Sequence, residues 1–280
     1  MSELASTATA PPAVPAHAED RRRAGFGALL AAERIKLVST RSPWWCGALA
    51  IVLVIGMTAV IAATAGSEAG PMPFALTRVF VQFGMVIVMV LAAVAVTTEY
   101  RFSTIRTTFQ AVPHRTAAML AKTMVVGLVA ALIGLVASFG AWGIAWLIRP
   151  NDGLGLATAV EWRSVAGAAL VYLLAAVLAI SVGILVRQTA GAVSLLLVWA
   201  LLAENLVALI PNVGDDIQRW LPFINANHFL TDGLPGSEQA GPPAVASGMP
   251  FGPWGSLVYV AVVAAVLLTV SLVVVNRRDA

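Results

Sequence analysis

Charged and hydroxyl-bearing side chains are concentrated in residues 97–115, TTEYRFSTIRTTFQAVPHR, between two long apolar runs. The segment offers the carboxylate of Glu99, the guanidiniums of Arg101 and Arg106, and the hydroxyls of Ser103 and Thr104. Groups of these types recognise a charged partner through charge-assisted hydrogen bonds. We therefore interpret the segment as a binding surface, and the alternative is a solvated loop that faces water or lipid headgroups.

The same segment carries the signals of a short amphipathic helix. Thr98 is a suitable N-cap, and an acidic residue follows it in the first turn, where it favours the helix dipole. Phe102, Ile105 and Phe109 recur at i, i+3 and i+7 and form one apolar stripe, and Pro113 ends the helix. The pattern predicts a helix that lies at the cytoplasmic membrane surface with a charged polar face.

A second candidate site lies within an apolar run, LLLVWALLAENLVALIP, which contains Glu204 and Asn205. Polar residues inside a membrane span are costly and are functional candidates for that reason. Glu204 is predicted to lie in the outer half of the bilayer. It is either a substrate-path or gating carboxylate, or a residue near the outer interface that is hydrogen-bonded to a neighbouring helix.

Signatures of catalysis and of cofactor binding are missing from the sequence. There is no G-x-S-x-G, no H-E-x-x-H and no phosphate-binding G-x-x-x-x-G-K-[ST] loop. The three histidines, His17, His114 and His228, lie outside the apolar runs, and the single cysteine, Cys46, excludes an internal disulfide. We expect no cofactor, no metal and no enzymatic activity of its own.

Composition predicts the class of protein that must position these residues. Of the 280 residues, 59% are hydrophobic and 11% are charged, whereas soluble domains carry about 25% charged residues. Six apolar runs reach the roughly 20 residues that a membrane helix needs, and none alternates as barrel strands do. The predicted spans are residues 44–63, 79–96, 123–147, 165–186, 190–210 and 254–275.

The distribution of basic residues predicts the orientation. Of the 17 Lys and Arg residues, all but Arg78, Arg149, Arg163 and Arg219 lie in one set of connecting segments. Short loops rich in Lys and Arg stay in the cytoplasm, so both termini and residues 97–115 are predicted to be cytoplasmic. The chain is thus predicted to be a multi-pass protein of the cell membrane, with residues 211–253 as its longest outside segment.

The chain is predicted to divide into a tail and a transmembrane domain. Residues 1–24 are rich in Ala and Pro and predict a disordered cytoplasmic tail, and residues 25–280 form one six-helix transmembrane domain. Before the first span, Phe26, Leu30 and Leu37 share one side of a helix, which Glu33 interrupts. We expect a short interfacial helix there, with Pro43 at the start of the span.

Two segments, AAERIKLVSTRSPWW and EYRFSTIRTTFQAVPHRTAAMLAKT, resemble the permease subunits of ABC-2-type exporters, most closely the actinobacterial ones. That family shows an E-x-x-K-L helix, a first span, and then an E-Y-R-x-x-T-I-R stretch that leads through a Pro to a Lys at the third span. Ser103 stands where members often have Gly. The matching residues are Glu33, Lys36, Leu37, Glu99, Tyr100, Arg101, Thr104, Ile105, Arg106, Pro113 and Lys122.

The resemblance implies a fold and a set of partners. The fold is all-α, with six transmembrane helices, an elbow helix that carries Glu33 and Lys36, and a cytoplasmic coupling helix between the second and third spans. A second, identical or different permease and a separate ABC ATPase subunit are the implied partners, in addition to membrane lipids and without nucleic acid. Residues Glu99, Arg101, Ser103, Thr104 and Arg106 are the implied surface for the ATPase.

The expected function is therefore ATP-driven export of an amphipathic, lipid-like or drug-like substrate, with ATP hydrolysed by the separate subunit. Two alternatives belong to other classes. An integral membrane enzyme that modifies lipids needs His, Asp or Glu clustered at one bilayer depth. An ion-coupled carrier needs repeats or broken helices with polar residues at the midplane, for which only Glu204 and Asn205 are candidates.

Overall fold

A computed structural model describes residues 25–64, 71–102, 115–237 and 248–278. Regular structure in these ranges is helical, and six helices are long and apolar enough to cross a membrane. The all-helical class and the six candidate spans predicted from the sequence are thus confirmed. The helices are α1 (Phe26–Ser39), α2 (Arg41–Thr64), α3 (Val81–Arg101), α4 (Arg115–Ile148), α5 (Ala159–Val186), α6 (Thr189–Leu197), α7 (Gly214–Gln218), α8 (Pro222–Thr231) and α9 (Pro253–Arg278).

Two of the spans include turns that are not α-helical. A 3₁₀ helix, Phe74–Arg78, leads into α3, and the two together form the second candidate span. Helix α6 continues through a π-helical turn at Val198–Ala203 and a short α-helical turn at Glu204–Leu206. The six candidate spans are therefore α2, the Phe74–Arg101 segment, α4, α5, the Thr189–Val207 segment and α9.

Helix α3 runs further than the apolar run that predicts it. The predicted span ends at residue 96, but the helix continues to Arg101. Thr98 lies inside this helix, and its hydroxyl donates to the carbonyl of Val94 at 2.7 Å. The prediction that Thr98 caps a new helix is therefore wrong, because the polar residues at the membrane surface prolong the span. The predicted stripe residues Ile105 and Phe109 lie outside the described residues.

Helix α4 also begins before its predicted span, at Arg115 and not at residue 123. Its 34 residues correspond to about 51 Å at 1.5 Å per residue, which exceeds a hydrocarbon core of about 30 Å. The helix is therefore longer than a span needs, and its extra turns precede the predicted span at the predicted cytoplasmic end. This extension places Lys122 beside α1 and the last turn of α3, where it donates hydrogen bonds to Glu33 and Glu99.

The core is formed where α5 packs against α4 and α3. The small residues Ala130, Gly134 and Ser138 form a stripe on α4, as is common where membrane helices approach closely. A Cβ atom at Gly134 would lie 2.6 Å from Cγ of Tyr172 on α5. The hydroxyl of the buried Tyr172 donates to the carbonyl of Val81 at 2.7 Å and so ties α5 to the start of α3.

Arg78, at the predicted outer end, is buried and not exposed on a loop. Its guanidinium donates to the hydroxyl and the carbonyl of Ser138 and to the hydroxyl of Thr77. The ring of Phe74 lies 5.5 Å from its Cζ atom. Arg78 thus links the 3₁₀ helix to α4, and the small side chain of Ser138 leaves space for the guanidinium.

Candidate functional site

Four charged side chains from three helices meet at the predicted cytoplasmic end of the spans. Lys122 of α4 donates to Glu33 of α1 and to Glu99 of α3, each at 2.8 Å. Lys36 of α1 donates to Glu33 at 2.7 Å and to Glu99 at 3.3 Å. We call Glu33, Lys36, Glu99 and Lys122 the charge cluster. It joins residues that are up to 89 positions apart in the chain.

Burial in the charge cluster is uneven. The exposed fraction of the side chain is 6% for Lys122, 9% for Glu33 and 13% for Glu99, but 46% for Lys36. The inner pairs are therefore shielded from water, whereas Lys36 closes the cluster on the solvent side. Because two carboxylates alternate with two ammonium groups, the buried charges compensate one another, as buried ionised groups require.

The local sequence explains how α1 supplies half of the charge cluster. Glu33 and Lys36 are three positions apart, so they lie on the same side of the helix. In the sequence, Glu33 interrupts the apolar side of α1. The structure shows that this side faces α4, where Lys122 provides the partner for the carboxylate.

The cluster also stabilises the charged forms of the α1 residues. Burial alone would raise the pKa of Glu33, but the attraction of Lys122 and hydrogen bonds from Lys122 and Lys36 outweigh it, and the pKa is lowered. Burial opposes the charge of Lys36 as well, yet the hydrogen bond to Glu33 and the attraction of Glu99 raise its pKa. Both groups are ionised at neutral pH. They therefore suit a structural ion pair that joins helices, and not the donation of a proton.

The predicted binding surface in residues 97–115 is described only at its start. Glu99 points its carboxylate into the charge cluster. Arg101 is exposed at the end of α3, with its Cζ atom 5.6 Å from the ring centre of Phe102. Ser103, Thr104 and Arg106 lie outside the described residues. The role of this surface in binding a partner stays a prediction.

Glu204 caps a neighbouring helix. The residue is 1% exposed, and its two carboxylate oxygens accept hydrogen bonds from the backbone N–H groups of Phe223, at 3.2 Å, and Ile224, at 2.9 Å. These groups belong to the first turn of α8, whose N-terminus favours a negative charge. The contact corresponds to the second interpretation of Glu204 given above, and its role in a substrate path stays a prediction.

Asn205 does not join Glu204 in one site. Its side chain is exposed, and its amide donates to the carbonyl of Leu201 one turn earlier in the same helix, at 3.0 Å. The two residues therefore face different surroundings, although they are adjacent in the sequence.

Two residues with buried charges were not among the predicted site residues, namely Lys122 and Arg78. For Lys122 a signal was available, because a Lys at the start of the third span is part of the pattern on which the resemblance rests. For Arg78 the sequence gives none, since its partners on α4 are 60 residues away. In the described ranges no three His, Cys, Asp or Glu residues are grouped so that they could hold a metal ion.

Comparison with known proteins finds no family model that matches the chain and no curated protein that matches its sequence.

Proposed function

We propose that the chain is the transmembrane permease subunit of an ATP-driven exporter of the ABC-2 type. The observation that supports this most directly is the charge cluster. Its four members are the charged residues of the E-x-x-K helix, the Glu of the E-Y-R stretch and the Lys of the third span. The two separated segments that carry the resemblance therefore meet in space through these charged residues.

The charge cluster suits a protein that is driven from its cytoplasmic end. A permease worked by a separate ATPase must pass a displacement at its cytoplasmic surface to its membrane helices. Here the buried Lys122 of α4 holds the last turn of α3 through Glu99 and holds α1 through Glu33. A force applied at the exposed Arg101 would be shared by all three helices, because buried ion pairs resist separation.

In this proposal the residues have distinct roles. Arg101, Ser103, Thr104 and Arg106 form the coupling surface for the ATPase, and Glu99 anchors that surface to the membrane domain. Helix α1 acts as the elbow helix, with Glu33 and Lys36 as its attachment. A second permease completes the transport path, and the apolar character of the spans favours an amphipathic, lipid-like or drug-like substrate.

Cross-linking tests the proposal. A Ser103→Cys variant in a Cys46→Ser background is co-expressed with a candidate ABC ATPase taken from the adjacent reading frames, and membranes are treated with a short bifunctional thiol reagent. We expect capture of the ATPase. Asp152→Cys, in the 3₁₀ helix Asp152–Leu154 at the opposite end of the spans, is the matched control and should capture none.

A negative result is also informative. If the cysteine at position 103 reacts freely with a bulky soluble maleimide and never captures the ATPase, the segment that follows α3 is only solvated and the coupling role is wrong. Equal capture from position 152 would show that the cross-link is non-specific.

A further inference from the structure

A cavity of about 410 Å³ adjoins the charge cluster. It lies between α1, the start of α2, α3 and α4. One end is lined by the four charged residues and by the hydroxyls of Thr40, Ser42 and Thr98. The remaining wall is apolar and includes Leu91, Val94 and Ala95 of α3 with Val125 and Val126 of α4. The cavity is therefore amphipathic, with its polar groups at one end.

The accessible charge at the polar end is positive. Lys36 has 46% of its side chain exposed, whereas the carboxylates of Glu33 and Glu99 are almost covered, at 9% and 13%. An ammonium group has three N–H donors, and Lys36 uses two of them on these carboxylates among the described residues. The third donor suits an anion such as a phosphate.

The cavity is oriented as a membrane lipid is, with its polar end at the predicted membrane surface and its apolar wall running towards the membrane interior. From Glu99 to Leu91 the wall follows eight residues of α3, or about 12 Å towards the middle of the membrane at 1.5 Å per residue. Trp44, Trp45 and Phe102 are 63%, 76% and 67% exposed at the same end of the spans, as in the aromatic belts that sit at headgroup level. A soluble anion would leave the apolar wall unused, whereas a lipid covers both parts.

We propose that this cavity binds an anionic phospholipid of the cytoplasmic leaflet. Its phosphate accepts a hydrogen bond from Lys36, and one acyl chain lies against the α3 and α4 wall at Val94, Ala95 and Val126. The negative potential of that leaflet concentrates such lipids at the site. The proposal does not depend on the proposed function, since a lipid that bridges α1 to α3 and α4 would be bound whether or not the chain exports anything.

Binding to the purified full-length protein in neutral detergent tests the proposal. The probes are dioleoylphosphatidylglycerol, dioleoylglycerol, which has the chains without the phosphate, and inorganic phosphate, which has the anion without the chains. Bound lipid is counted by native mass spectrometry, and the shift in melting temperature is measured in parallel. We expect binding and stabilisation by the phospholipid and neither effect with the two partial probes.

Variants locate the site. Lys36→Gln should weaken phosphatidylglycerol binding about tenfold, the effect of losing one charge-assisted hydrogen bond. Ala95→Phe should block the acyl chain, and the smaller Ala95→Leu serves if the first variant does not fold. Arg34→Gln is the matched control, because Arg34 is an exposed cation of the same helix that does not line the cavity. It should bind lipid like the parent.

Three outcomes would overturn the proposal. Equal protection by inorganic phosphate would indicate a site for a free anion. Equal binding of dioleoylglycerol would indicate a non-specific apolar groove. A loss with Arg34→Gln as large as that with Lys36→Gln would indicate attraction to the basic surface in general.

Discussion

Lys122→Met should destabilise the protein far more than removal of the other ammonium group in the charge cluster. Lys122 makes two ion pairs at 2.8 Å and is 6% exposed, so its loss strands two shielded carboxylates. Removal of one partner from a buried pair costs about 3–5 kcal/mol. In the variant, Lys36 still contacts Glu33 at 2.7 Å and Glu99 at 3.3 Å. We therefore expect the free energy of unfolding to fall by an amount at the lower end of this range, about 3 kcal/mol.

The matched comparison is Lys36→Gln, which removes the same charge from a side chain that is 46% exposed. Exposed ion pairs contribute about 0–1 kcal/mol, so the two variants should differ by about 2 kcal/mol in the free energy of unfolding. A Glu33→Gln/Lys122→Met double variant should recover much of the loss, because one stranded carboxylate is removed as well.

The assay is unfolding of the purified protein in mixed micelles with increasing sodium dodecyl sulfate, followed by circular dichroism. Each variant is compared with the parent at the same micelle concentration and pH. If Lys122→Met is no less stable than Lys36→Gln, the ion pairs of Lys122 are not shielded from water, and the prediction from their burial is wrong.

Three further predictions concern pH, α8 and orientation. The lowered pKa of Glu33 means that its stabilising contribution is present above the usual carboxyl pKa of 4.5 and is lost as the pH falls through the folded value. The difference in unfolding free energy between the parent and Glu33→Gln should thus stay constant around neutral pH and shrink only in acid; a change between pH 6 and 8 would contradict this. Glu204→Gln keeps one acceptor for the two N–H groups of α8, so we expect a loss of about 1–3 kcal/mol and altered transport, while Asn205→Ala should melt like the parent. Equal melting temperatures for both variants would rule out the capping role. Reporter fusions should alternate outside and inside at Gly66, Thr104, Gly153, Arg187, Gly236 and Ala280, and an inside signal at Gly236 would disprove the predicted orientation.

Apolar runs sufficed to predict the class and the number of spans, because each span must bury its backbone within a helix about 20 residues long. They did not predict where α3 ends or where α4 begins. Thr98 and Lys122 are polar, and a hydropathy pattern treats them as loop, although helices continue past the hydrocarbon layer wherever packing and ion pairs support them.

The contacts within the charge cluster could not be predicted from the sequence for a different reason. Glu33 looked like a defect in an apolar stripe, since its partner Lys122 is 89 residues away and nothing local identifies it. The resemblance grouped the same residues by motif but gave no geometry. Likewise, Glu204 stood out as an intramembrane acid, whereas its contact with the first turn of α8 depends on how the chain returns after α7.

The π-helical turn at Val198–Ala203 has a consequence for which side chain lies under α8. A turn of this kind holds one residue more than an α-helical turn, so it takes up a residue that would otherwise rotate the rest of the helix by about 100°. Glu204 follows directly after it and faces inward, while Asn205 faces outward. Deletion of a single residue within the turn would let it close as an α-helical turn and leave Glu204 facing the backbone amides of α8. Insertion of a further residue would instead rotate Glu204 away from them, so this span tolerates a change of length at this turn in one direction only.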